Sequence, residues 1–361
     1  MRYILTGGGT GGHIFSAIAT ADEIKKRDAD AAIIFVGSKD YMEMDIVPKA
    51  GYEIVGMNVH RINRFNLWKN YKQPFEVISS LWQSRKLIKR FKPDAVIGTG
   101  GFATGPILKM AQISGIPTFL QEHNAFPGLT TRLLAKNATR IHIAYDEVRQ
   151  HLKMGNFLLT GNPVREDLTT QKIDIKQAKK QLKFDPEKPL ISIIGGSQGS
   201  DPINKVMMEI FPKLKQNNIQ MLLQTGKNFY HLYKDFKDEQ VQITPFIDDI
   251  PLIYSASDVI ITRSGAMTIA ELALFEKASV LIPIAHSEQS HQDHNALALA
   301  NKHAAVYVKE SEMYDKLAPE IIRLVNNPQE IKTIEKNIKP FAFPKATEVI
   351  VDDILGYLEE R

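Results

Sequence analysis

Short apolar runs alternate with amphipathic stretches along the whole chain. The runs are residues 3–5, 32–36, 95–97, 118–120, 140–144 and 158–159 in the first half, and 190–194, 220–223, 241–243, 259–261, 279–282 and 305–308 in the second. The stretches between many of them have the apolar spacing of helices. An order of strand, helix, strand, helix predicts an α/β fold with parallel sheets and helices on both faces.

Glycines follow the first strand of each half. Residues 7–12 come directly after the run 3–5, residues 195–199 come after 190–194, and helical patterns follow at 14–26 and 204–215. Glycine lets the backbone approach a ligand closely, and a helix N-terminus favours an anion. Either loop alone is explained equally well as a tight turn. Their repetition favours two similar domains that bind phosphates.

Further glycine-rich loops stand at residues 98–106, 161–165 and 263–267. In parallel sheets, ligands bind beyond the carboxyl ends of the strands, where such loops lie. We place one domain at residues 1–163 and a second at 164–343. Residues 344–361 are expected to form a terminal helix that packs back toward the first domain.

The composition is that of a globular protein, and the charge is uneven. The chain has 361 residues, is 43% hydrophobic and contains no cysteine, which excludes disulfides and cysteine-ligated zinc. Its net charge is +4, yet residues 61–92 hold nine Lys or Arg and one Glu, a local charge of +8. Such asymmetry points to an anionic partner: a membrane surface, a nucleic acid or an anionic substrate.

The stretch 75–92 has two apolar stripes at helical spacing. Val77, Leu81, Leu87, Ile88 and Phe91 form the first, which is predicted to face the core. The second mixes apolar and cationic groups, as membrane-surface helices do: Phe75, Ile78, Trp82, Arg85, Lys86 and Lys89. The alternative is that neighbouring elements cover this stripe. We favour the membrane, because covering it would bury the cations too.

Eight short motifs, in order, resemble the bacterial N-acetylglucosaminyltransferases of peptidoglycan synthesis, the MurG family. They are residues 7–13, 98–106, 122–129, 161–165, 195–199, 246–249, 263–271 and 292–296. The resemblance implies two Rossmann-like domains of the GT-B type with a cleft between them. It also implies inverting transfer of N-acetylglucosamine from UDP-GlcNAc to lipid I, undecaprenyl-diphosphoryl-N-acetylmuramoyl-pentapeptide, which gives lipid II.

The resemblance also implies which residues bind the substrates. Glu271 is expected to accept from the ribose hydroxyls, the backbone of Ile247 to read the uracil, and Gln292 and Asn295 to contact the sugar. The full donor set is Thr10, Gly11, Gly12, Asn124, Arg165, Ser197, Gln198, Ile247, Ala266, Met267, Thr268, Ile269, Ala270, Glu271, Gln292 and Asn295. The acceptor diphosphate is expected at Gly9, Thr99, Gly100 and Gly101.

Two residues are candidates for the base that activates the acceptor hydroxyl. His13 begins a helix and has a side chain whose ordinary pKa suits the task. Glu122 is the second candidate, and a structural role stays open for each. Where the family has His-Glu-Gln-Asn, this chain has Gln121 and His123 around Glu122. The loop 285–294 is also one residue longer than in the family.

No metal or other cofactor is expected to be obligatory. The Asp28–Asp30 pair follows a helix at the wrong sheet edge for a nucleotide-bound cation, and His286, His291, Asp293 and His294 match no zinc spacing. Residues 36–38 lack the acid of an NAD site. Expected partners are UDP-GlcNAc, lipid I, the anionic cytoplasmic membrane surface and other cell-wall enzymes, but no nucleic acid. Another UDP-sugar transferase, an epimerase and a non-enzymatic sugar-nucleotide or nucleic-acid binder are the alternatives.

Overall fold

A computed structural model describes residues 1–59, 73–164, 173–196, 198–285 and 291–361. The chain divides into two compact units. The first contains Met1–Val164 and Lys345–Arg361, and the second contains Arg165–Pro344. The first unit is therefore made of two separate stretches of the chain.

Seven parallel strands form the sheet of the first unit, counted over its described residues. They are β1 Arg2–Gly7, β2 Ala32–Ser38, β3 Glu53–Met57, β4 Ala95–Gly100, β5 Thr118–Glu122, β6 Arg140–Ile143 and β7 Phe157–Leu159. The helices are α1 Gly11–Arg27, α2 Glu43–Lys49, α3 Gln73–Phe91, α4 Thr104–Ile113, α5 Leu129–Leu134 and α6 Val148–His151, with the C-terminal helix α15 Ala346–Glu359. The strand order is β3-β2-β1-β4-β5-β6-β7.

Both faces of this sheet are covered. On one face, side chains of α1 and α15 join the strand residues in one core, which includes Leu5, Ile14 and Ile354. On the other face, residues of α3 and α4 pack with the strands, among them Ile88 and Ile107. The terminal helix α15 thus contributes to the core of the first unit.

The second unit has a six-stranded parallel sheet within its described part. Its strands are β8 Leu190–Ile194, β9 Gln220–Gln224, β10 Val241–Thr244, β11 Val259–Thr262, β12 Ser279–Leu281 and β13 Val306–Tyr307. Its helices are α7 Ile175–Gln181, α8 Asp201–Gln216, α9 Tyr230–Tyr233, α10 Ile250–Ala256, α11 Ala266–Leu274, α12 His291–Ala300, α13 Met313–Val325 and α14 Pro328–Ile338. The strand order is β10-β9-β8-β11-β12-β13.

The two sheets share one topology. In each, the first strand of the unit lies between the second and the fourth, so the order reverses between β1 and β4 and again between β8 and β11. Doubly wound sheets bind ligands at this switch point, beyond the carboxyl ends of the strands. The predicted α/β fold is confirmed, and both glycine loops follow the strand at a switch point.

Two sequence-based expectations need correction. The edge strand β3 was not anticipated, because its short run contains Gly56 and is only half buried. Val77 was assigned to the core stripe of α3 but is 46% exposed. Near the N-terminal end of α3, the buried residues are Ser80 and Ser84. Of the predicted core stripe, Leu87 and Ile88 are the residues that are buried.

Candidate functional site

The two glycine loops of the first unit lie in direct backbone contact. The N–H of Gly8 donates to the carbonyl of Gly100 at 3.1 Å. Gly101 has a φ of +100°, and a Cβ there would lie 2.5 Å from the carbonyl oxygen of Gly8. This approach requires glycine and brings the ends of β1 and β4 together at the switch point.

His13 is held between these loops. The hydroxyl of Thr99 donates to the His13 carbonyl at 2.7 Å. A Cβ at Gly100 would lie 2.5 Å from Cε1 and Nδ1 of the His13 ring. The ring is therefore seated where only glycine leaves room for it. Thr99 is fully buried and braces the loop through its hydroxyl.

Glu43 is a residue that the sequence analysis missed. Its side chain is 1% exposed and lies beneath the first glycine loop. One carboxylate oxygen accepts from the N–H of Gly9 and the other from the N–H of Ser38, both at 3.0 Å. Glu43 therefore fixes the loop and takes up the Gly9 amide. No local pattern marks this role, because the contact joins residues 34 positions apart.

Glu122 ends β5 and is 5% exposed. Its Oε1 accepts from the backbone N–H and the side-chain amide of Asn124, at 3.1 and 3.3 Å. Its Oε2 accepts from the N–H of Gly128 at 2.9 Å and from the hydroxyl of Thr131 at 2.6 Å. An ionised carboxylate has about four lone-pair sites, so four donors occupy them all. Glu122 holds the loop that carries Asn124.

The remaining residues predicted in the first unit surround the start of α1. Thr10 is exposed and occupies the N-cap position, and Gly11 and Gly12 begin the helix half-buried. Asn124 is also half-buried. These residues follow β1 and β5, and both strands end at the same edge of the sheet.

In the second unit, the glycine loop after β8 meets the loop after β9. Gly199 and Gly226 have φ angles of +75° and +86°. A Cβ on Gly199 would lie 1.9 Å from the Thr225 carbonyl oxygen, and one on Gly226 would lie 2.0 Å from that of Gln198. Gln198 is exposed on this loop. Arg165 and Ser197 lie outside the described residues.

Helix α11 follows β11, the strand that lies next to β8 in the sheet. Its first turn contains the half-buried residues Ala266, Met267 and Thr268. The side chains of Ile269 and Ala270 are buried, at 1% and 9% exposure. The N–H of Ile269 donates to the Gly265 carbonyl at 3.0 Å, so this N–H is used within the helix.

Glu271, on the second turn of α11, has a buried partner. The hydroxyl of Tyr254 donates to its Oε2 at 3.1 Å. Burial and the nearby carboxylate raise the pKa of Tyr254 well above its usual value. The phenol thus keeps its proton and orients Glu271. Tyr254 stands outside every motif of the sequence.

Three further residues predicted to bind the donor, Ile247, Gln292 and Asn295, form hydrogen bonds within the second unit. The N–H of Ile247 lies 3.3 Å from the side-chain oxygen of Gln224. Gln292 accepts from the N–H of Ile284 at 3.2 Å. Asn295 is fully buried, and its amide donates to the Ser264 carbonyl at 3.2 Å. Asn295 therefore braces the loop before α11 rather than presenting its amide to solvent.

Arg263 connects four segments of the second unit. Its guanidinium donates to the carbonyls of Ile282 and Pro283, at 3.2 and 3.1 Å, and to the hydroxyl of Ser200 at 2.7 Å. It also forms an ion pair with Glu310. Burial lowers its pKa below the usual value, against the effect of Glu310. Arg263 ties the loops after β8, β11, β12 and β13 together.

Helix α3 presents its second stripe to solvent. Phe75, Ile78 and Trp82 are 75%, 66% and 65% exposed. The ammonium of Lys86 lies 5.7 Å from the centre of the Trp82 ring. Arg85 and Lys89 are exposed as well. The described elements of the first unit therefore leave this stripe open.

Neither a metal cluster nor a membrane span is found in the part of the chain that is described. No three His, Cys, Asp or Glu side chains there are placed to hold a metal ion. No helix among the same residues has the length and apolar composition to cross a membrane. Asp293, from the candidate zinc set, accepts from the Tyr307 hydroxyl at 2.9 Å.

Two domain families match the chain. The glycosyltransferase family 28 N-terminal domain matches residues 3–143, and the glycosyltransferase family 28 C-terminal domain matches residues 190–350. The first match spans strands β1 to β6, and the second spans β8 to β13.

Curated relatives match over nearly their full length. A protein of Flavobacterium psychrophilum is 42% identical over 361 residues, which cover 100% of this chain and 98% of the relative. A protein of Christiangramia forsetii is 42% identical over 354 residues, which cover 98% and 97%. Both are named UDP-N-acetylglucosamine--N-acetylmuramyl-(pentapeptide) pyrophosphoryl-undecaprenol N-acetylglucosamine transferase.

Solved structures share the fold. The crystal structure of Acinetobacter baumannii MurG superimposes with a TM-score of 0.79 at 26% identity, and the match covers 98% of this chain and 99% of that one. A putative UDP-N-acetylglucosamine 2-epimerase from Listeria monocytogenes gives a TM-score of 0.69 at 11% identity, covering 100% and 97%. At that identity the second match shows the fold alone.

Proposed function

The chain belongs to glycosyltransferase family 28, and from this membership we infer that it transfers N-acetylglucosamine from UDP-GlcNAc to lipid I, forming lipid II and UDP. The observation that carries this conclusion is the 42% identity over the whole chain to relatives named for that transfer. The acceptor hydroxyl attacks the anomeric carbon, the bond from that carbon to the UDP oxygen breaks, and the configuration inverts. The hydroxyl proton must pass to a base.

We assign the donor to the second unit. The first turn of α11 offers backbone N–H groups and the positive end of a helix dipole to the diphosphate, where charge develops as UDP leaves. Glu271, oriented by Tyr254, accepts from the ribose. Gln198, Ile247 and Gln292 line the same edge, with Arg165 and Ser197 as further donor contacts. We assign Asn295 to holding the loop before α11 rather than to contacting the sugar, because its side chain is buried.

The acceptor is assigned to the first unit, with His13 as the base. His13 lies in the first turn of α1, at the switch point, and is half-buried. Glu122 is less suited, because four donors already occupy its carboxylate. Removing a general base lowers turnover by about 10²–10⁴. The diphosphate cradle is proposed at the backbone of Gly100 and Gly101, since Gly9 and Thr99 donate within the protein.

The α3 stripe is proposed to bring the enzyme to its lipid substrate at the cytoplasmic face of the membrane. Its three exposed apolar side chains can enter the headgroup region, while Arg85, Lys86 and Lys89 meet anionic lipid. Each cation near such a surface contributes about 1 kcal/mol. Other cell-wall enzymes are further candidate partners.

No metal is proposed to be obligatory, because backbone dipoles and Arg165 are available for the leaving group. The Asp28 carboxylate instead pairs with the N-terminal ammonium at 3.1 Å. It lies at the far end of α1 from the glycine loop. A comparison of rates with added Mg²⁺ and with a chelator tests this point.

The function is tested with UDP-[14C]GlcNAc and a short-tailed lipid I analogue. We expect label in the lipid product and one free UDP for each sugar transferred, with His13→Ala as the inactive control. A reaction mixture without acceptor should leave the donor unchanged. Conversion of UDP-GlcNAc into an epimer without acceptor would overturn the assignment in favour of an epimerase.

A further inference from the structure

A chain of hydrogen bonds runs through the interior of the first unit, between α1 and the end of β5. The hydroxyl of Ser16 lies 2.8 Å from Oε1 of Gln121 and 3.1 Å from Nε2 of His123. The amide nitrogen of Gln121 lies 2.9 Å from the hydroxyl of Thr20. All four side chains are at most 4% exposed. Water therefore does not supply alternative partners.

The direction of each bond follows from the number of protons available. The Thr20 hydroxyl donates its single proton to the Ser16 carbonyl at 2.9 Å, so it accepts from the Gln121 amide. The oxygen of that amide then faces Ser16 and accepts its hydroxyl proton. Ser16 has no second proton, so it accepts from His123. The uncharged His123 ring therefore carries its proton on Nε2.

His123 also contacts the proposed base. The rings of His13 and His123 are stacked, with centroids 5.2 Å apart and planes at 28°. Burial, together with the neighbouring His13, lowers the pKa of His123 well below its usual value. The side-chain partner that the structure gives His123, Ser16, is uncharged. Thus nothing in this network favours a charge on His123.

We propose that His123 is a positioning residue for His13: an uncharged imidazole with a fixed proton, against which the His13 ring lies. Two charged imidazoles at this distance would repel each other, and the more buried one is harder to charge. The proton taken from the acceptor hydroxyl therefore stays on His13. This proposal rests on the proposed role of His13 as the base.

The network contains the two residues at which this chain departs from the family motif, Gln121 and His123. Gln121 and His123 stand two positions apart, where an extended chain directs side chains to the same side. Both contact the Ser16 hydroxyl. The chain thus retains an imidazole and a primary amide in one network, although their order differs from the family motif.

Nitrogen NMR on the full chain with labelled histidine tests the proposal directly. Variants His13→Ala and His123→Ala assign the two signals. We expect His123 to show the Nε2–H form throughout the range from about pH 5.5 to 8, without titrating, because burial disfavours its charge. A signal of the Nδ1–H form, or protonation of His123 before His13, would overturn the proposal.

Turnover separates positioning from a merely structural role. His123→Ala removes the surface behind His13 and should lower kcat about a hundredfold, as misplacement of a reacting group does, with the KM for UDP-GlcNAc unchanged. His123→Phe keeps a flat ring and should recover most of that loss. Normal turnover of His123→Ala, with His13→Ala inactive, would refute this proposal alone. Normal turnover of His13→Ala would refute the base assignment itself.

A matched pair of serine variants examines the network. Ser16→Ala removes the acceptor of the His123 proton and should give mixed tautomers in the NMR spectrum, with kcat lowered about tenfold, the equivalent of one hydrogen bond. Ser84→Ala is the control, since Ser84 is equally buried and its hydroxyl contacts the Ser80 carbonyl and the Met57 sulfur, neither of which belongs to this network. A single Nε2–H form in Ser16→Ala, with kcat unchanged, would show that Ser16 does not fix the His123 proton and would contradict its place in the proposal.

Discussion

The four hydrogen bonds at Glu122 allow its two candidate roles to be distinguished by one substitution. Glu122→Gln keeps the shape of the side chain but replaces one acceptor oxygen with an NH₂ group. In either orientation of the amide, two of the four donors lose their acceptor. If the amide nitrogen faces Thr131, the Thr131 hydroxyl can turn and accept a hydrogen bond from it. The Gly128 N–H can only donate, so it stays without an acceptor.

The expected cost follows from the burial of the group. A hydrogen bond to a charged group contributes about 1.5–3 kcal/mol, and Glu122 is too buried for water to replace the lost partners. We therefore expect the first unit to lose about 3 kcal/mol of stability. At 2–4 °C for each kcal/mol, which holds for domains of roughly 150–250 residues, its melting temperature should fall by about 6–12 °C.

Calorimetry and steady-state kinetics on the same preparation read out both roles. If Glu122 holds the loop, the melting temperature falls, the KM for UDP-GlcNAc rises as Asn124 loses its anchor, and kcat stays within about tenfold of the parent. If Glu122 is the base, kcat falls by about 10²–10⁴ and the melting temperature stays unchanged, which would refute our reasoning. Glu53→Gln, at an exposed position on β3, controls for the loss of one negative charge.

Three further predictions concern pH, donor binding and the membrane. Burial on β6 lowers the pKa of His142, although the Asp353 carboxylate, 2.9 Å from its Nε2, raises it. The unfolded chain therefore binds a proton that the folded chain does not, and thermal stability of the first unit should fall as the pH drops below about 6.5. His142→Gln should flatten that dependence. Tyr254→Phe should raise the KM for UDP-GlcNAc about three- to tenfold with kcat unchanged, because Glu271 loses an orienting hydrogen bond. Ile78→Ser with Trp82→Ser should abolish flotation with anionic vesicles, while turnover of a short-tailed acceptor remains.

Each of these predictions has a control within the chain. His231→Gln, at an exposed site, should keep the pH dependence of the parent; an unchanged slope in His142→Gln would contradict the first prediction. Tyr314→Phe, at a residue 54% exposed, should leave the KM unaltered, and equal KM values for both tyrosine variants would contradict the second. Leu232→Ser with Phe236→Ser removes exposed apolar groups from the second unit. Equal flotation of both pairs would contradict the third.

Local patterns predicted most of the fold, because buried strands and glycine loops leave local signals. The glycine loops at residues 7–12 and 195–199 follow β1 and β8. Each loop lies at the switch point of its sheet. The edge strand β3 has no such signal. Its residues are half-buried at the sheet edge, where an apolar run is not required.

The supports of the candidate site were not predictable in this way. Glu43, Tyr254 and Ser16 act through contacts with residues distant in the sequence, and none stands in a motif. His13 and Glu122 were candidates from the sequence, but only the geometry shows that four donors already occupy the Glu122 carboxylate. The departure at Gln121 was visible in the sequence, whereas the stacking of His123 on His13 depends on the packing of α1 against the end of β5.

The return of α15 to the first unit has a consequence for synthesis on the ribosome. Ile350, Val351 and Ile354 complete a core that also contains Tyr3, Leu5 and Ile14. The N-terminal unit therefore lacks part of its interior until the last helix has emerged, whereas the second unit is one continuous segment, Arg165–Pro344. Domains usually fold in the order of synthesis, with the N-terminal domain first. In this chain the N-terminal unit completes its folding last. The second unit can finish folding while the first unit still lacks residues 346–359, and a nascent chain cut before them leaves apolar surface on α1 and the sheet uncovered.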